Sequence, residues 1–201
     1  ITSTFTQGNL THVENPFSVA LEGDGFFQIR TESGELQYTR DGSFEISPVA
    51  NGNMLCTSDG NPVLDAYGNQ IILPSNRVAT DLVVNQDGTL AFPDGTGNPA
   101  VITDANGRPV KFGIYQFNNP AGLSKEGSNN YSVTVASGAA VAENGNAAVK
   151  QTKTHQYYTE ASNVDVANEM VNLIVAQRAY EMNSKAIQAS DEMMQQANAL
   201  R

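Results

Sequence analysis

The chain has 201 residues, of which 40% are hydrophobic and 16% charged, and its formal net charge is −10 at pH 7. This length and apolar content allow one sizeable core or two small ones and exclude a disordered chain. The acidic charge excludes a nucleic-acid binder, which needs a cationic surface, and the apolar runs fall well short of the roughly 20 residues of a membrane span. We therefore expect no nucleic acid partner and no membrane insertion.

The first part of the chain is rich in turns and short strands. All 17 glycines and all 8 prolines precede residue 146, and Asp-Gly or Asn-Gly pairs such as Asp59-Gly60 recur among them. Both residue types tolerate the positive φ that tight turns require. Short strand-like runs at close spacing predict a mainly β fold of antiparallel hairpins or small barrel-like sheets. The predicted strands are Phe26–Arg30, Gln37–Arg40, Ser43–Ile46, Met54–Thr57, Gln70–Leu73, Leu82–Asn85, Thr89–Phe92, Val110–Phe117 and Tyr131–Val135.

The last part of the chain predicts one long α-helix from Val164 to Leu200, because helix-forming residues run through it uninterrupted. Ser162, Asn163 and Asp165 are candidate N-caps. Apolar residues recur at steps of three and four, which predicts a stripe that needs another helix to bury it. Gln177, Arg178 and Asn183 interrupt the stripe, either as polar residues that fix register in a seam or as a solvated face. The candidate seam residues are Met170, Ile174, Ala179, Met182, Ala186, Ile187 and Met193.

Two turn segments carry the sharpest local motifs. Gly23 and Gly25 flank Asp24 ahead of Phe26 and Phe27, which suits a tight turn with a close backbone approach. We expect the two phenylalanines to supply apolar area to opposite faces of one strand. The second segment consists of Thr39, Arg40, Asp41, Gly42 and Ser43. It predicts a hairpin turn in which Arg40 pairs with a nearby carboxylate.

These motifs resemble those of the bacterial flagellar rod and hook protein family. The matching segments are NPFSVALEGDGFFQI at Asn15–Ile29, YTRDGSFEI at Tyr38–Ile46, NGNMLCTSDGNPVL at Asn51–Leu64 and EASNVDVANEMVNLIVAQRAYEMNSKAIQASDEMMQ at Glu160–Gln195. The helix is more similar to distal rod members than to hook members. Family members begin with a helical N-terminal segment that pairs with the C-terminal helix, and the resemblance implies that such a segment precedes Ile1.

The resemblance implies a structural subunit of the flagellar basal-body rod, exported from the cytoplasm and polymerised with copies of itself and other flagellar axial proteins. The absence of glycine and proline after Gly145 predicts a boundary near Thr154–Glu160, between a β-rich region over residues 1–156 and a helical segment over residues 157–201. The resemblance implies that the first is an outer region, more variable at about 66–149, and that the second is a polymerisation segment. The alternatives are a hook or proximal rod subunit and, in a different class, a surface- or carbohydrate-binding β module. The absence of tryptophan argues against the carbohydrate-binding module.

No catalytic motif stands out in the chain. It contains no GxSxG, P-loop or HExxH sequence, and His12, His155 and Cys56 are not at metal-ligand spacing. Cys56 lies in an alternating run and is expected to be a buried strand residue. We therefore expect no enzymatic activity, no cofactor, no metal and no small-molecule substrate.

Overall fold

A computed structural model divides the chain into two compact units, Ile1–Ser162 and Asn163–Arg201. The structure describes residues 4–94, 99–146 and 148–199. The first unit is built from β-strands, and the second contains one long α-helix. The predicted fold class, antiparallel β followed by one C-terminal helix, is confirmed.

Sixteen short strands and one helix are described. The first eight strands are β1 (Leu10–His12), β2 (Val19–Glu22), β3 (Phe26–Arg30), β4 (Leu36–Thr39), β5 (Glu45–Val49), β6 (Gly52–Cys56), β7 (Ile72–Leu73) and β8 (Val83–Val84). The others are β9 (Leu90–Pro93), β10 (Pro99–Val101), β11 (Ile114–Gln116), β12 (Ser124–Gly127), β13 (Asn130–Ser132), β14 (Val141–Ala142), β15 (Lys153–Gln156) and β16 (Tyr158–Glu160). Single 3₁₀ turns span Ala79–Asp81 and Pro120–Gly122, and the helix α1 spans Val166–Ala199.

All the strand pairs among the described residues are antiparallel. The largest sheet has six strands in the order β12-β13-β4-β3-β11-β14. Two three-stranded sheets follow the orders β5-β6-β7 and β10-β9-β8, and two ribbons join β1 with β16 and β2 with β15. The two ribbons bring the beginning of the chain against the segment that precedes the helix.

One turn geometry occurs five times among the described residues of the β unit. In each copy the amide of the first residue donates to the carbonyl of the fifth, and the amide of the fourth donates back to the carbonyl of the first. The fourth residue is always a glycine with positive φ, as at Gly68, where φ is 84°. The five turns span residues 31–35, 57–61, 65–69, 85–89 and 104–108. Three of these five turns contain an Asp-Gly or Asn-Gly pair, whereas the first and third read TESGE and DAYGN.

In the part of the chain that the structure describes, backbone hydrogen bonds also close three rings of three residues, in which each amide donates to the next carbonyl. In the first ring, Leu55 donates to Ile71 at 3.0 Å, Ile71 to Val63 at 3.1 Å and Val63 to Leu55 at 3.0 Å. The second ring joins Leu90, Ile102 and Val110, and the third joins Gln28, Leu64 and Gly113. Most of these residues are buried, so the rings satisfy polar backbone groups that would be costly to leave unpaired.

The main hydrophobic core lies beside these rings. Three aromatic rings meet at its centre: the Phe27 centroid lies 5.0 Å from that of Phe44 and 5.2 Å from that of Phe112. Aliphatic side chains such as Ile71 and Leu90 pack into the same cluster. Residues 66–149, predicted to be a more variable portion, therefore share one core with the residues that precede them.

Strand β3 serves two cores at once, because successive side chains point to opposite faces. Phe27 enters the main core, whereas Phe26 enters a smaller cluster with Tyr38, Phe117 and Leu123. The prediction that the two phenylalanines face opposite ways is confirmed. Cys56 is also buried within a strand, as predicted.

One local prediction is wrong. Residues 39–43 form a bend that leads from one sheet to another and not a hairpin turn, since β4 pairs with β3 and β13 while β5 pairs with β6. The compact β unit includes β16, and the helix begins at Val166. The division into an outer region over residues 1–156 and a polymerisation segment over residues 157–201 stays a prediction.

Candidate assembly helix and the Arg40 clamp

Asp165 caps the helix α1. Its side chain accepts a hydrogen bond from the Ala167 amide at 3.0 Å and another from the Asn168 side chain at 2.8 Å. Glu169 lies in the first turn, where its negative charge suits the positive end of the helix dipole. Asp165, one of the three predicted cap residues, thus supplies a cap oxygen.

The helix carries a first apolar stripe with alternating steps of four and three residues. Its members are Val175, Ala179, Met182, Ala186, Ala189 and Met193. This spacing is that of a coiled-coil seam, and the three alanines would allow another helix to approach closely. All six side chains are exposed; Met182, for example, is 66% exposed. We call this set the first stripe.

A second apolar stripe lies roughly 120° around the helix from the first, given about 100° of rotation per residue. Its members are Leu173, Ala176, Tyr180, Ile187 and Met194. Tyr180 is 78% exposed and Ile187 is 64% exposed. Polar residues take two positions in line with this stripe, Asn183 and Ser190. We call this set the second stripe, and large exposed apolar patches of this kind mark interaction surfaces.

The seven predicted seam residues therefore do not share one stripe. Four of them, Ala179, Met182, Ala186 and Met193, belong to the first stripe. Ile187 belongs to the second stripe. Met170 and Ile174 lie near the beginning of the helix on its remaining side, where they are 64% and 50% exposed.

The polar residues predicted to interrupt the seam also separate. Asn183 is in line with the second stripe, as the register-fixing alternative expects. Gln177 and Arg178 lie off both stripes, on the side that also carries Glu181 and Lys185. For these two residues the solvated-face alternative fits the helix geometry better.

In the β unit, the glycines of the two predicted turn motifs lie close to other parts of the chain. A Cβ at Gly25 would come within 2.5 Å of the Ile114 side chain and 2.7 Å of the Thr152 hydroxyl oxygen, and a Cβ at Gly42 would overlap the Val19 carbonyl. Asp24 is exposed, and Asp41 accepts hydrogen bonds from the Ser43 amide at 3.0 Å and the Asn129 side chain at 3.2 Å. These residues thus shape the turns and bring the backbone carbonyls of Gly23 and Gly25 towards Arg40.

Arg40 pairs with a carboxylate, as predicted, and that carboxylate belongs to Glu160. The Nη2–Oε2 distance is 2.9 Å, and the two side chains are 14% and 12% exposed. Arg40 Nη1 also donates to the carbonyls of Gly23 at 2.9 Å and Gly25 at 3.1 Å, and Nη2 donates to the Gln7 side chain at 3.3 Å. We call this network of five residues the Arg40 clamp.

The clamp holds both ends of the β unit. Glu160 Oε1 accepts a hydrogen bond from the Gly8 amide at 2.8 Å, and the Ala161 amide donates to the Asn9 carbonyl at 2.8 Å. Sequence reasoning missed Glu160 and Gln7 because their partners lie far away along the chain. Glu160 does begin the motif segment EASN, which was the one available signal.

Other polar groups of the β unit form hydrogen bonds among themselves. Buried Glu143 accepts hydrogen bonds from the Thr152 amide and hydroxyl at 2.7 and 2.6 Å, and from the Gln116 side chain at 2.7 Å. His155 Nε2 lies 2.7 Å from Glu22 Oε2, and this hydrogen bond lowers the pKa of Glu22. Within the described residues, no group of three or more His, Cys, Asp or Glu side chains could hold a metal ion. No helix in that part of the chain has the length and apolar character needed to cross a membrane.

Comparisons with known proteins place these features in a family. Residues 20–92 match the profile described as flagellar hook protein FlgE/F/G D1 domain, and residues 155–200 match flagellar basal body rod FlgEFG protein C-terminal. The flagellar basal-body rod protein FlgG of Borreliella burgdorferi is 39% identical over 201 residues, which cover 98% of this chain and 69% of that protein. FlgG of Buchnera aphidicola subsp. Acyrthosiphon pisum is 37% identical over 202 residues, 97% of this chain and 69% of the relative.

The chain belongs to the flagellar basal-body rod protein family. The resemblance read from its motifs is thereby confirmed. The flagellar hook-basal body complex protein FlhP of Bacillus subtilis is also similar, at 34% identity over 97% of this chain and 69% of that protein. Arg40 lies within the segment that matches the family's D1 domain, and Glu160 lies within the segment that matches its C-terminal region. The clamp thus joins the two family segments.

Proposed function

We propose that this rod-family chain is a structural subunit of the bacterial flagellar basal body, and that it polymerises into the axial tube that transmits torque from motor to hook. Identity of 37–39% with FlgG proteins over 97–98% of the chain is the observation that carries this proposal. Its partners are copies of itself and other axial proteins, and its site is the extracytoplasmic part of the basal body.

The helix α1 is the proposed polymerisation segment. Helices in proteins gain most of their stability from packing against other elements. A 34-residue helix with two exposed apolar stripes therefore needs partners. Two stripes about 120° apart allow one helix to contact two neighbours at the same time, as a closed tube requires. A single stripe would favour a pair of helices and no further growth.

The β unit is the proposed outer layer of the tube. It has its own hydrophobic core of 16 buried residues and does not depend on α1 for that core. A unit of this kind can keep its shape while the helices make the contacts that propagate the polymer. Among the described residues, nothing in its polar networks favours a catalytic role, and we propose that the chain is not an enzyme.

The test adds one negative charge to the first stripe. Ala186→Asp in the full-length protein would place a carboxylate in a packed seam, which costs several kcal/mol when the charge has no partner. We expect cells that carry this variant to lose swimming in soft agar and to lack complete rods in electron micrographs of basal bodies. Gln188→Asp, which adds the same charge on the polar side of the same helix, is the matched control and should swim normally.

A double variant makes the test stricter. Ala186→Asp combined with Ile187→Asp charges both stripes. Normal swimming and normal rods in these cells would show that α1 is not an assembly element. The β unit should melt at the same temperature in all the variants, because none of the changed residues belongs to it.

A further inference from the structure

The chain leaves the β unit through a short ribbon of two antiparallel strands, β1 and β16. Its three residue pairs are Leu10–Glu160, Thr11–Thr159 and His12–Tyr158. Because the strands are antiparallel, Asn9 and Ala161 emerge from the same end of the ribbon. A pull that separates these two ends loads the pairs one after another, beginning with Leu10–Glu160. A two-stranded ribbon is marginally stable by itself, so it offers little resistance to such a pull.

The Arg40 clamp lies at the end where that pull begins. Glu160, the first residue to be loaded, is held by Arg40 through Nε at 3.0 Å and Nη2 at 2.9 Å. Arg40 is in turn held by the Gly23 and Gly25 carbonyls, and its guanidinium carbon lies 5.7 Å from the centre of the Phe26 ring. The first pair of the ribbon is thereby fastened to the body of the β unit and not only to the facing strand.

Both strands of the ribbon are held at this end. Glu160 Oε1 accepts from the Gly8 amide, and Gln7 Oε1 accepts from the Gly23 amide at 3.0 Å as well as from Arg40. A Cβ at Gly8 would overlap the Ala161 carbonyl, so the two chain segments lie in close contact. Charge-assisted hydrogen bonds of this kind are about twice as strong as neutral ones.

We propose that the ion pair of Arg40 and Glu160 is the contact through which the β unit bears mechanical load passed along the chain from the helix. The proposal rests on the function proposed above, since a rod subunit must transmit torque between its segments. Any load that reaches the β unit from residues 163–201 along the covalent chain arrives at Ala161 and Glu160. The clamp passes that load to β3, β4 and the Gly23–Gly25 turn. The three residue pairs of the ribbon then do not have to bear it.

A second arginine pair offers a matched control. Arg108 Nη2 lies 2.7 Å from Asp104 Oδ2, and its guanidinium carbon lies 3.9 Å from the centre of the Tyr67 ring. This pair has the same chemistry as the Arg40 pair, including the aromatic contact. However, it joins residues four apart within a single turn and lies away from the path of the load.

The experiment is single-molecule force spectroscopy on the purified full chain, in two pulling directions. In the first, handles at the two chain ends load the ribbon. In the second, cysteine handles at exposed Ser33 and Asn106 load the β unit away from the ribbon, while Cys56 is protected by burial. The variants are Arg40→Gln, Arg108→Gln, and Glu160→Gln, which keeps an acceptor for the Gly8 amide.

Under end-to-end load we expect Arg40→Gln and Glu160→Gln to speed the first opening of the β unit about tenfold or more at the same force. The reason is that each variant removes one charged partner of the ion pair. Opening between Ser33 and Asn106 should change much less, and Arg108→Gln should leave end-to-end opening unchanged. Equal acceleration in both directions would overturn the proposal, because the clamp would then be a general source of stability. Unchanged end-to-end opening would overturn it as well. Neither result depends on polymerisation, so the Ala186→Asp test of rod assembly is judged separately.

Discussion

At the scale of single residues, glycines in this protein meet two different physical demands. Gly68 has a φ of 84° with open space where a Cβ would lie, so only the backbone conformation calls for glycine. Gly42 has no such φ, yet a Cβ there would overlap the Val19 carbonyl. Because the overlapping atom belongs to the backbone, no side-chain rotation can relieve the clash. The two positions separate the cost of left-handed backbone from the cost of steric overlap.

Substitution by alanine should reveal the difference. Gly68→Ala should cost about 1 kcal/mol of unfolding free energy, and Gly68→Asn less, because asparagine tolerates left-handed backbone. Gly42→Ala should cost several times more, since backbone segments have to move apart. Urea denaturation followed by circular dichroism measures all three. If Gly42→Ala were as stable as Gly68→Ala, the backbone at Val19 would be able to shift away from the new Cβ at little cost.

Glu22 and His155 make the stability of the β unit sensitive to acid. The hydrogen bond from His155 lowers the pKa of Glu22 from its ordinary 4.5. The folded protein therefore binds this proton less readily than the unfolded chain, and the resulting stability is present above pH 4.5 and is lost as the pH falls through the lowered pKa.

We expect His155→Ala to flatten that acid-dependent loss. Melting temperatures measured between about pH 5 and pH 3 should fall less steeply in this variant than in the natural protein. His12→Ala is the control, because the His12 ring packs on Tyr157 and Tyr158 and does not contact a carboxylate in the described contacts. If His155→Ala keeps the full slope, the Glu22 pair does not contribute to it.

At the scale of elements, the start of the helix depends on one side chain. Asp165→Ala removes the oxygen that accepts from the Ala167 amide, and loss of such a cap costs about 1 kcal/mol of helix stability. We expect faster hydrogen exchange at the amides of residues 167–169 and a small loss of helical circular dichroism. Asp191→Ala, in the interior of the same helix, removes the same charge and should leave those amides protected.

Elements also show what the sequence could and could not predict. Strand β3 and the long helix have strong local signals: a run of large apolar residues after a turn, and unbroken helix formers. The ribbon of β1 and β16 joins residues about 150 positions apart, and β1 reads LTH, which carries no apolar alternation. Its stability comes from pairing and from the clamp, so nothing in the local sequence marks it.

The candidate sites also contain features that the sequence could predict and features that it could not. The apolar spacing of α1 was visible in the sequence, and the helix geometry then resolved it into two stripes. Arg40 could be selected from its turn motif, but its partner Glu160 could not, since that choice depends on where the chain folds back. The hydrogen-bond rings were invisible for a related reason: they involve backbone atoms, which every residue possesses.

At the scale of the whole molecule, the boundary between the two units can be tested by truncation. A chain ending at Ser162 keeps β16 and the clamp, and it should melt cooperatively because its core is complete. A chain ending at Gln156 loses β16 and leaves Arg40 without its carboxylate. Breaking a largely buried ion pair costs about 3 kcal/mol or more, so its melting temperature should be lower by about 10 °C.

Differential scanning calorimetry of both fragments measures this difference. Two fragments with equal melting temperatures would show that the β unit ends before β16. Arg40→Gln in the longer fragment is a useful comparison, because it removes the ion pair and leaves the strand in place. Its melting temperature should fall between those of the two fragments.

The three backbone rings bear on how crowded copies of this protein can coexist. In a polymer, β units lie side by side at very high local concentration, and an unpaired strand invites a neighbour to add to it. At the nine ring residues every amide and carbonyl is already engaged within its own chain. The backbone groups of these residues are therefore not available for strand pairing with an adjacent unit. Since most of these residues are also buried, neighbouring units would meet through surfaces outside the rings.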